Sequence, residues 1–563
     1  MHVVTNRRQG AQREYVTHLL RRSYREGGKV RNETLANLSH LPEEVIELVR
    51  GALRGERYVP ADAAFAIERS LPAGHVSAVL AMARRLDLAR LLDRAPSRER
   101  DLALALIVQR VLAPGSKLQS ARLLGQSTLA SELGVEGVDE DDLYAALDWL
   151  GERQERIEQR LAGRHLGDGE MVFYDLSSSY FEGRTCPLAK LGYSRDGRRG
   201  TPQIVYGLMT DRAGKPVAVQ VFAGNVHDHQ TVPAQLAKLK TRFGLAQIVL
   251  VADRGMVTRT NIEALAAADG VEWITALKAP QVKKLAQAGT LQPSLFDQIN
   301  LAEITADAFP GERLVVCRNP LVAAERTRKR DELLAATESE LAPIADRVKR
   351  GTLIDAGEIG LAVGPAIKRF RMKKHFDIEI TDGHFAYRRK PEQITAEAAL
   401  DGIYILRTTV AADQLDTAEI VRAYKDLQHV EQAFRVLKGP ELEVRPIHHR
   451  LEHRVRAHIF CCMLSLYLER HLRDAWTELT YQDEQPPQRT DPVAKATRSP
   501  AAHAKARTKR TPTGQPAHSF RSLLTELALQ TRNTIRLPAT DATYDKLTEP
   551  TDLQARALQL AGA

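Results

Sequence analysis

The segment Tyr424–Lys438 carries polar side chains at helical spacing. At about 100° per residue, one stripe of a helix would collect a phenol, an amide, a carboxylate and two cations. These belong to Tyr424, Gln428, Glu431, Arg435 and Lys438. An adjoining apolar stripe would seat the helix on a core, and it consists of Leu427, Val430, Phe434 and Leu437. Side chains of these types on one face favour a site for metal ions and phosphate groups.

Two aspartates upstream could complete such a site. Asp175 follows the run M-V-F-Y and Asp253 follows I-V-L-V-A, and both runs are typical of buried strands. Two Mg²⁺ ions held by carboxylates can activate a water or 3′-hydroxyl and stabilise the leaving oxygen of a phosphodiester. We predict that Asp175, Asp253 and Glu431 are catalytic and hold two Mg²⁺ ions, with Mn²⁺ as a substitute. In the competing interpretation each strand-end aspartate only caps a turn or a helix.

The composition suits a polyanionic partner. In 563 residues, 80 Lys and Arg stand against 71 Asp and Glu, a net charge of +9. The four cysteines have no C-x-x-C spacing, which favours a reducing compartment. The N-terminus lacks the apolar core of a signal peptide, and the longest apolar run, near 459–468, is too short for a bilayer. We expect a soluble, intracellular protein that binds a polyanion and no membrane.

Changes in periodicity divide the chain into five predicted parts. They are a helical DNA-binding region (1–165), the first part of an α/β core (166–280), an insertion (281–412), the last core helices (413–478), and a basic linker with a C-terminal helix (479–563). The insertion is expected because the chain between Asp253 and Glu431 is far too long for one loop. Residues 116–135 predict two short helices, either a helix-turn-helix that reads DNA or an ordinary helical hairpin.

The core is expected to be a mixed sheet with helices. Short apolar runs bounded by turn residues predict strands at Met171–Leu176, Gln203–Thr210, Pro216–Phe222, Ile248–Ala252 and Val271–Leu277. Helical patterns lie between the later strands, so the order is β-β-β-α-β-α-β, an α/β arrangement.

A glycine-rich segment, Gly192–Gly200, carries Arg195, Arg198 and Arg199. Glycines let a backbone approach phosphate closely, and arginines supply charge-assisted hydrogen bonds. We predict that these arginines bind DNA. The alternative is a hairpin turn with solvated arginines.

The chain resembles DDE transposases of the bacterial IS4 clan, most closely the IS1634 type. The resemblance rests on F-Y-D-L-S-S-S-Y-F-E-G, G-Y-S-R-D-G-R-R-G, V-A-D-R-G-M and Y-K-D-L-Q-H-V-E-Q-A-F-R-V-L-K. It implies an RNase H-like catalytic core interrupted by a β-rich insertion, with a helical N-terminal domain. It also implies Mg²⁺-dependent cleavage at terminal inverted repeats and joining of the 3′-ends to target DNA by a homodimer in a synaptic complex. Such a protein is expected in the bacterial cytoplasm, associated with the nucleoid.

The clan's last-helix signature is Tyr, two residues, Arg, three residues, Glu, six residues and Lys. Tyr424, Glu431 and Lys438 match it, whereas Leu427 stands at the Arg position. The resemblance implies that Tyr424 and Lys438 contact DNA, and Arg435 is a candidate to replace the missing Arg. Two other functions remain open: a nuclease of the RNase H fold that cuts without joining, and a catalytically inactive DNA-binding relative.

Overall fold

The structure is a computed structural model of the chain that describes all residues except 11–13, 59, 61–63, 292, 297–299, 486–490, 495 and 539. The chain forms two compact units, Met1–Leu71 with Thr531–Glu549, and Pro72–Gln530 with Pro550–Ala563. The predicted boundaries at 165, 280, 412 and 478 all fall inside the second unit and stay predictions.

The first unit consists mainly of strands. Its elements are β1 (His2–Gln9), β2 (Glu14–Glu26), β3 (Lys29–Asn37), α1 (Glu43–Leu53), β4 (Ala66–Pro72), β15 (Thr531–Leu537) and β16 (Ala542–Leu547). Strands β1, β2 and β3 form one antiparallel sheet in that order, and β16, β15 and β4 form another.

The prediction that residues 1–165 are helical is therefore wrong for most of the first 72 residues, where α1 is the one helix among the described residues. Gly27 and Gly28, both with positive φ (60° and 78°), form the two-residue turn between β2 and β3. A Gly-Gly pair is a typical hairpin signal, because both central residues of such a turn need positive φ. The strands around it are almost entirely exposed, with His18 as the buried residue of β2, so they show no apolar alternation.

The rest of this region, from residue 73 to residue 165, is helical, as predicted. They are α2 (Gly74–Arg85), α3 (Leu88–Leu92), α4 (Arg98–Leu112), α5 (Lys117–Leu124), α6 (Leu129–Leu133), α7 (Glu140–Glu152) and α8 (Gln154–His165). Helix α4 is buried at every residue from Leu102 to Leu112. Ser97 caps it by accepting a hydrogen bond from the Arg100 amide at 3.2 Å.

An eight-stranded mixed sheet forms the centre of the second unit. Its strands are β5 (Met171–Tyr180), β6 (Gln203–Thr210), β7 (Pro216–Ala223), β8 (Ile248–Ala252), β9 (Val271–Ala276), β10 (Leu301–Ile304), β11 (Arg313–Arg318) and β14 (Ile403–Thr408). Their order is β10-β11-β14-β9-β8-β5-β6-β7. Helices α9 (Val232–Ala237) and α10 (Arg259–Ala266) connect the later strands. The mixed α/β core is confirmed.

The region 281–412 is richer in helix than in strand, so the expectation of a β-rich insertion is wrong. Its helices are α11 (Ala279–Gln287, which begins just before it), α12 (Pro320–Lys349), α13 (Ala356–Arg369) and α14 (Pro391–Ala398). Strands β10, β11 and β14 join the central sheet, and only β12 (Phe376–Thr381) and β13 (His384–Arg389) form a sheet of their own among the described residues. Helix α12 alone spans 30 residues of this region.

The C-terminal part continues with α15 (Thr417–Lys438), α16 (Glu452–Ala475), α17 (Pro500–Thr508), α18 (Phe520–Ala528) and α19 (Asp552–Ala561). The expected basic linker is wrong where the structure describes it. Lys505 of α17 is buried and donates hydrogen bonds to Thr477 O and Gln482 O at 3.1 and 3.3 Å. In the described part of the chain, no helix is both long and apolar enough to cross a membrane.

Candidate active site

Asp175 and Asp253 come together through the parallel pairing of β5 with β8. In this register Tyr174 lies opposite Ala252, and the residue that follows each of them in the sequence is an aspartate, Asp175 or Asp253. Strand β8 ends at Ala252, as predicted. Strand β5 continues to Tyr180, so Asp175 lies within its strand and not at its end. Its position as a neighbour of Asp253 therefore comes from the pairing.

Helix α15 brings Tyr424 and Glu431 to the same place. Its predicted apolar stripe is buried, at Leu427, Val430, Phe434 and Leu437. The Tyr424 hydroxyl donates a hydrogen bond to Asp253 Oδ1 at 3.3 Å. Burial raises the pKa of Tyr424, and the charge of Asp253 raises it further. The phenol therefore keeps its proton at neutral pH and acts as a donor.

One cavity of about 670 Å³ is lined by Asp175, Asp253 and Glu431, together with Tyr424 and Gln428. Its other wall contains Val493, Ala494 and Ala496. The ammonium group of Lys425 donates to the carbonyl oxygens of Pro492 and Val493, both at 2.5 Å, and of Ala494 at 3.0 Å. The segment after residue 490 is thus fastened to α15 and shapes the cavity.

The electrostatics of the cavity are set by burial and, to a smaller extent, by the neighbouring carboxylates. Burial raises the pKa of Asp175 to about 7, and the charges of Asp253 and Glu431 add to this increase. The backbone amide of Leu176 donates to Asp175 Oδ1 at 2.7 Å and acts in the opposite direction, as does Arg195. A cation in the cavity would favour the ionised form of Asp175.

The donor set of the cavity fits a hard divalent cation, since it offers carboxylate oxygens whose mutual repulsion a cation would relieve. The three acids surround the space and do not converge on one point. Accordingly, no group of three His, Cys, Asp or Glu side chains in the described residues is arranged to hold a metal ion by itself.

A further acid beside the site is Asp228, which the sequence did not single out as a catalytic candidate. A Cβ atom placed on Gly255 would lie 3.4 Å from Asp228 Oδ2 and 3.7 Å from Asp253 Oδ2, so both carboxylates approach this glycine. Arg195 forms an ion pair with Asp228 Oδ1 at 2.5 Å. In the sequence, Asp228 is marked only by its place between two histidines after β7. That pattern does not indicate that Asp228 pairs with Arg195.

Lys438 lies at the end of α15 in a buried ion-pair cluster. Its ammonium group donates to Asp196 Oδ1 at 2.9 Å, and Arg445 contacts the same oxygen at 2.5 Å. The side chain of Asp196 is 1% exposed and that of Lys438 is 11% exposed. Asp196 Oδ2 also accepts a hydrogen bond from the Tyr180 amide at 3.2 Å. This cluster joins the end of α15 to the end of β5.

The remaining predicted residues are more exposed. Arg435 lies 3.6 Å from Glu431, and its side chain is 79% exposed. Arg198 pairs with Glu182 at 3.3 Å and stacks 3.9 Å from the centre of the Tyr180 ring. Arg199 is exposed. Leu427, at the position of the clan's Arg, is buried and lines the cavity.

Comparison with known proteins assigns the chain to a family. The model of the transposase DDE domain matches residues 183–468, just over half of the chain. The chain belongs to the DDE transposases. The model of the IS1634 family transposase N-terminal domain matches residues 1–62, which confirms the predicted IS1634 type. The protein is thus an insertion-sequence transposase, an enzyme of the polynucleotidyl transferase and endonuclease class.

A solved structure with a similar chain is a cryo-EM structure of a piggyBac transposase synaptic complex with hairpin DNA. It is 9% identical, with 80% of this chain and 76% of that chain covered, at a TM-score of 0.35. A likeness at this level bears on neither fold nor activity. No curated protein matches the chain.

Proposed function

We propose that this transposase binds the terminal inverted repeats of its own element, cleaves them, and joins their 3′-ends to target DNA through Asp175, Asp253 and Glu431. The observation that carries the proposal is the parallel register of β5 and β8, which makes Asp175 and Asp253 neighbours beneath the helix that bears Glu431. Acids from two strands and one helix can serve phosphoryl transfer only if they share a space, and these line one cavity.

We further propose that the three carboxylates hold two Mg²⁺ ions, with Mn²⁺ as a substitute. Such ions would supply charge stabilisation and an activated oxygen nucleophile to a phosphodiester. The chain's own contribution is to position the acids by strand pairing and to orient Asp253 with the hydroxyl of Tyr424. Arg195, paired with Asp228, adds positive charge next to Asp175.

The core is proposed to be RNase H-like. Its five strands would be β7, β6, β5, β8 and β9, in which antiparallel neighbours stand on one side of β5 and parallel neighbours on the other. Helix α15 covers β5 and β8 and completes this core. The elements from α11 to β14 would be the insertion between β9 and α15, with more helix than strand.

DNA would approach over α15 and the glycine-rich segment. The proposed contacts are Tyr424, Arg435, Lys438, Arg195, Arg198 and Arg199. Arginines on α15 and the glycine-rich segment suit phosphate recognition, which positions DNA without reading its sequence. Lys438 would act from a fixed position, because Asp196 holds it. We propose that two copies of the chain pair the two element ends as a homodimer.

The test is a cleavage and strand-transfer assay on the element's end DNA with Mg²⁺. It compares the wild type with Asp253→Asn and with Asp307→Asn, the same change at an exposed position. We expect the wild type and Asp307→Asn to cut and join, whereas Asp253→Asn binds the end DNA and does neither.

Other outcomes separate the alternatives. Cutting without joining by the wild type would indicate a nuclease. Equal behaviour of the wild type and Asp253→Asn would show that this cavity is not the active site, and binding without any cutting by the wild type would indicate an inactive DNA-binding relative.

A further inference from the structure

A second cavity, of about 610 Å³, has a mainly basic lining. It lies between the start of α5, helix α4 and the chain that connects α15 to α16. Its cationic side chains are those of Arg110, Lys117, Arg445, Arg450 and Arg454. Among the described residues that line it, Glu443 is the one acid. We call this cavity the Lys117 pocket.

Lys117 is the most unusual residue of the Lys117 pocket. It is 4% exposed, and its ammonium group has no hydrogen-bond or ion-pair partner among the described residues. Burial, with the nearby charge of Arg110, lowers the pKa of Lys117 to about 8. A buried ammonium group without an anionic partner is unfavourable. An anion in the pocket would remove that penalty.

Arg110 adds a second buried positive charge. It is 5% exposed and donates only to backbone carbonyls, of Leu442 at 2.8 Å, Glu443 at 3.3 Å and Gly115 at 3.0 Å. Neutral acceptors satisfy its hydrogen bonds without neutralising its charge. The guanidinium group therefore also fixes the two chain segments that form the walls of the pocket.

The other cations of the pocket differ in their pairing. Arg454 makes hydrogen bonds with both carboxylate oxygens of Asp148, at 2.9–3.2 Å, and Arg445 is paired with Asp196. Arg450 is exposed and has no partner among the described residues. The positive charges of Lys117, Arg110 and Arg450 are thus left without a carboxylate.

Helix α5 adds its own polarity, since it begins at Lys117. Ser116 caps it and accepts a hydrogen bond from the Gln119 amide at 3.1 Å. The first amides of a helix point outward and favour an anion. Here they open onto the same pocket as the buried, unpaired ammonium group.

We propose that the Lys117 pocket binds a phosphate group. A phosphate oxyanion offers several acceptor oxygens and can bridge lysine, arginine and helix amides at once. The group could be free inorganic phosphate or belong to a DNA backbone, and both share this chemistry. The Lys117 pocket is separate from the cavity lined by Asp175, Asp253 and Glu431, so this proposal does not depend on the proposed strand-transfer reaction.

The first experiment measures thermal unfolding of the full chain as inorganic phosphate replaces chloride at constant ionic strength. The melting temperature of the wild type should rise, as expected for a ligand that binds the folded state. Lys117→Met should show no rise and, without phosphate, no loss of stability, because it removes an unpaired buried charge. The control Lys349→Met, at an exposed position at the end of α12, should respond as the wild type does.

The second experiment measures the salt dependence of binding to a DNA duplex. If a DNA phosphate occupies the pocket, Lys117→Met should reduce the slope of log K against log salt by about 0.9, the value for one phosphate contact. If free phosphate occupies it, the slope stays unchanged while the phosphate response is lost. Arg450→Ala, an exposed change that should not affect folding, is measured in both experiments and should weaken the same responses. The proposal is overturned if neither the phosphate response nor the salt slope depends on Lys117 or Arg450.

Discussion

Replacing Asp196 by Asn should destabilise the junction between β5 and α15. The carboxylate is 1% exposed and is shared by Lys438, Arg445 and the Tyr180 amide. Asn keeps the size of the side chain but removes its charge, so two cations lose their partner. Breaking a buried ion pair costs about 3–5 kcal/mol. Since Arg445 is 30% exposed and can turn toward water, we expect a cost near the lower end, about 3 kcal/mol.

The measurement is urea-induced unfolding of the wild type, Asp196→Asn and Glu338→Gln near pH 7. Glu338 pairs with Arg389 at 2.7 Å, but the two side chains are 33% and 42% exposed, so the loss of this pair should cost only about 0.2–1 kcal/mol. The reasoning would be refuted if Asp196→Asn lowered the unfolding free energy no more than Glu338→Gln. In that case Lys438 does not depend on Asp196 for its position.

Three further results are expected. Tyr424→Phe should slow DNA cleavage in the Mg²⁺ assay while its urea midpoint stays close to that of the wild type, because it removes only the 3.3 Å bond to Asp253. Burial lowers the pKa of His75 to about 4, so the unfolded chain binds its proton first and stability should fall as pH drops from about 6.5 to 4. His75→Gln should reduce this fall, by up to roughly 3 kcal/mol in a pH series of unfolding curves. Lys505→Met should lower the unfolding free energy by about 1–3 kcal/mol, since Lys505 has bonds to carbonyls and to Glu484 that Met cannot make.

The positions of strands and helices were predicted best from the sequence where their side chains are most buried. Strands β6, β7, β8 and β9 were located to within one residue, and β5 was predicted four residues too short. Buried strands can be located in this way because they are short apolar runs bounded by turn residues. The apolar stripe of α15 was equally readable, since a helix that packs on a sheet must repeat its apolar side chains every three to four residues.

Prediction from the sequence failed where strands are exposed and where a strand pairs with a segment that is distant along the chain. Strands β2 and β3 are nearly all exposed, so only the Gly27-Gly28 turn marked them. The residues of β10, β11 and β14 lie within the predicted insertion, 281–412, yet these strands extend the central sheet. Sheet membership depends on pairing between distant segments, which the local pattern of one strand does not contain.

The sequence by itself determined the chemistry that is available: two aspartates after apolar runs, a helix with Tyr424 and Glu431 on one stripe, and the motifs of a transposase family. Only the tertiary structure decided which of these groups meet. The register of β5 against β8 made Asp175 a neighbour of Asp253, and the packing of α15 fixed Lys438 on Asp196. Packing also buried Lys117 without an acidic partner among the described residues. Charges interact over a few ångströms of space, and separation along the chain does not reveal that distance.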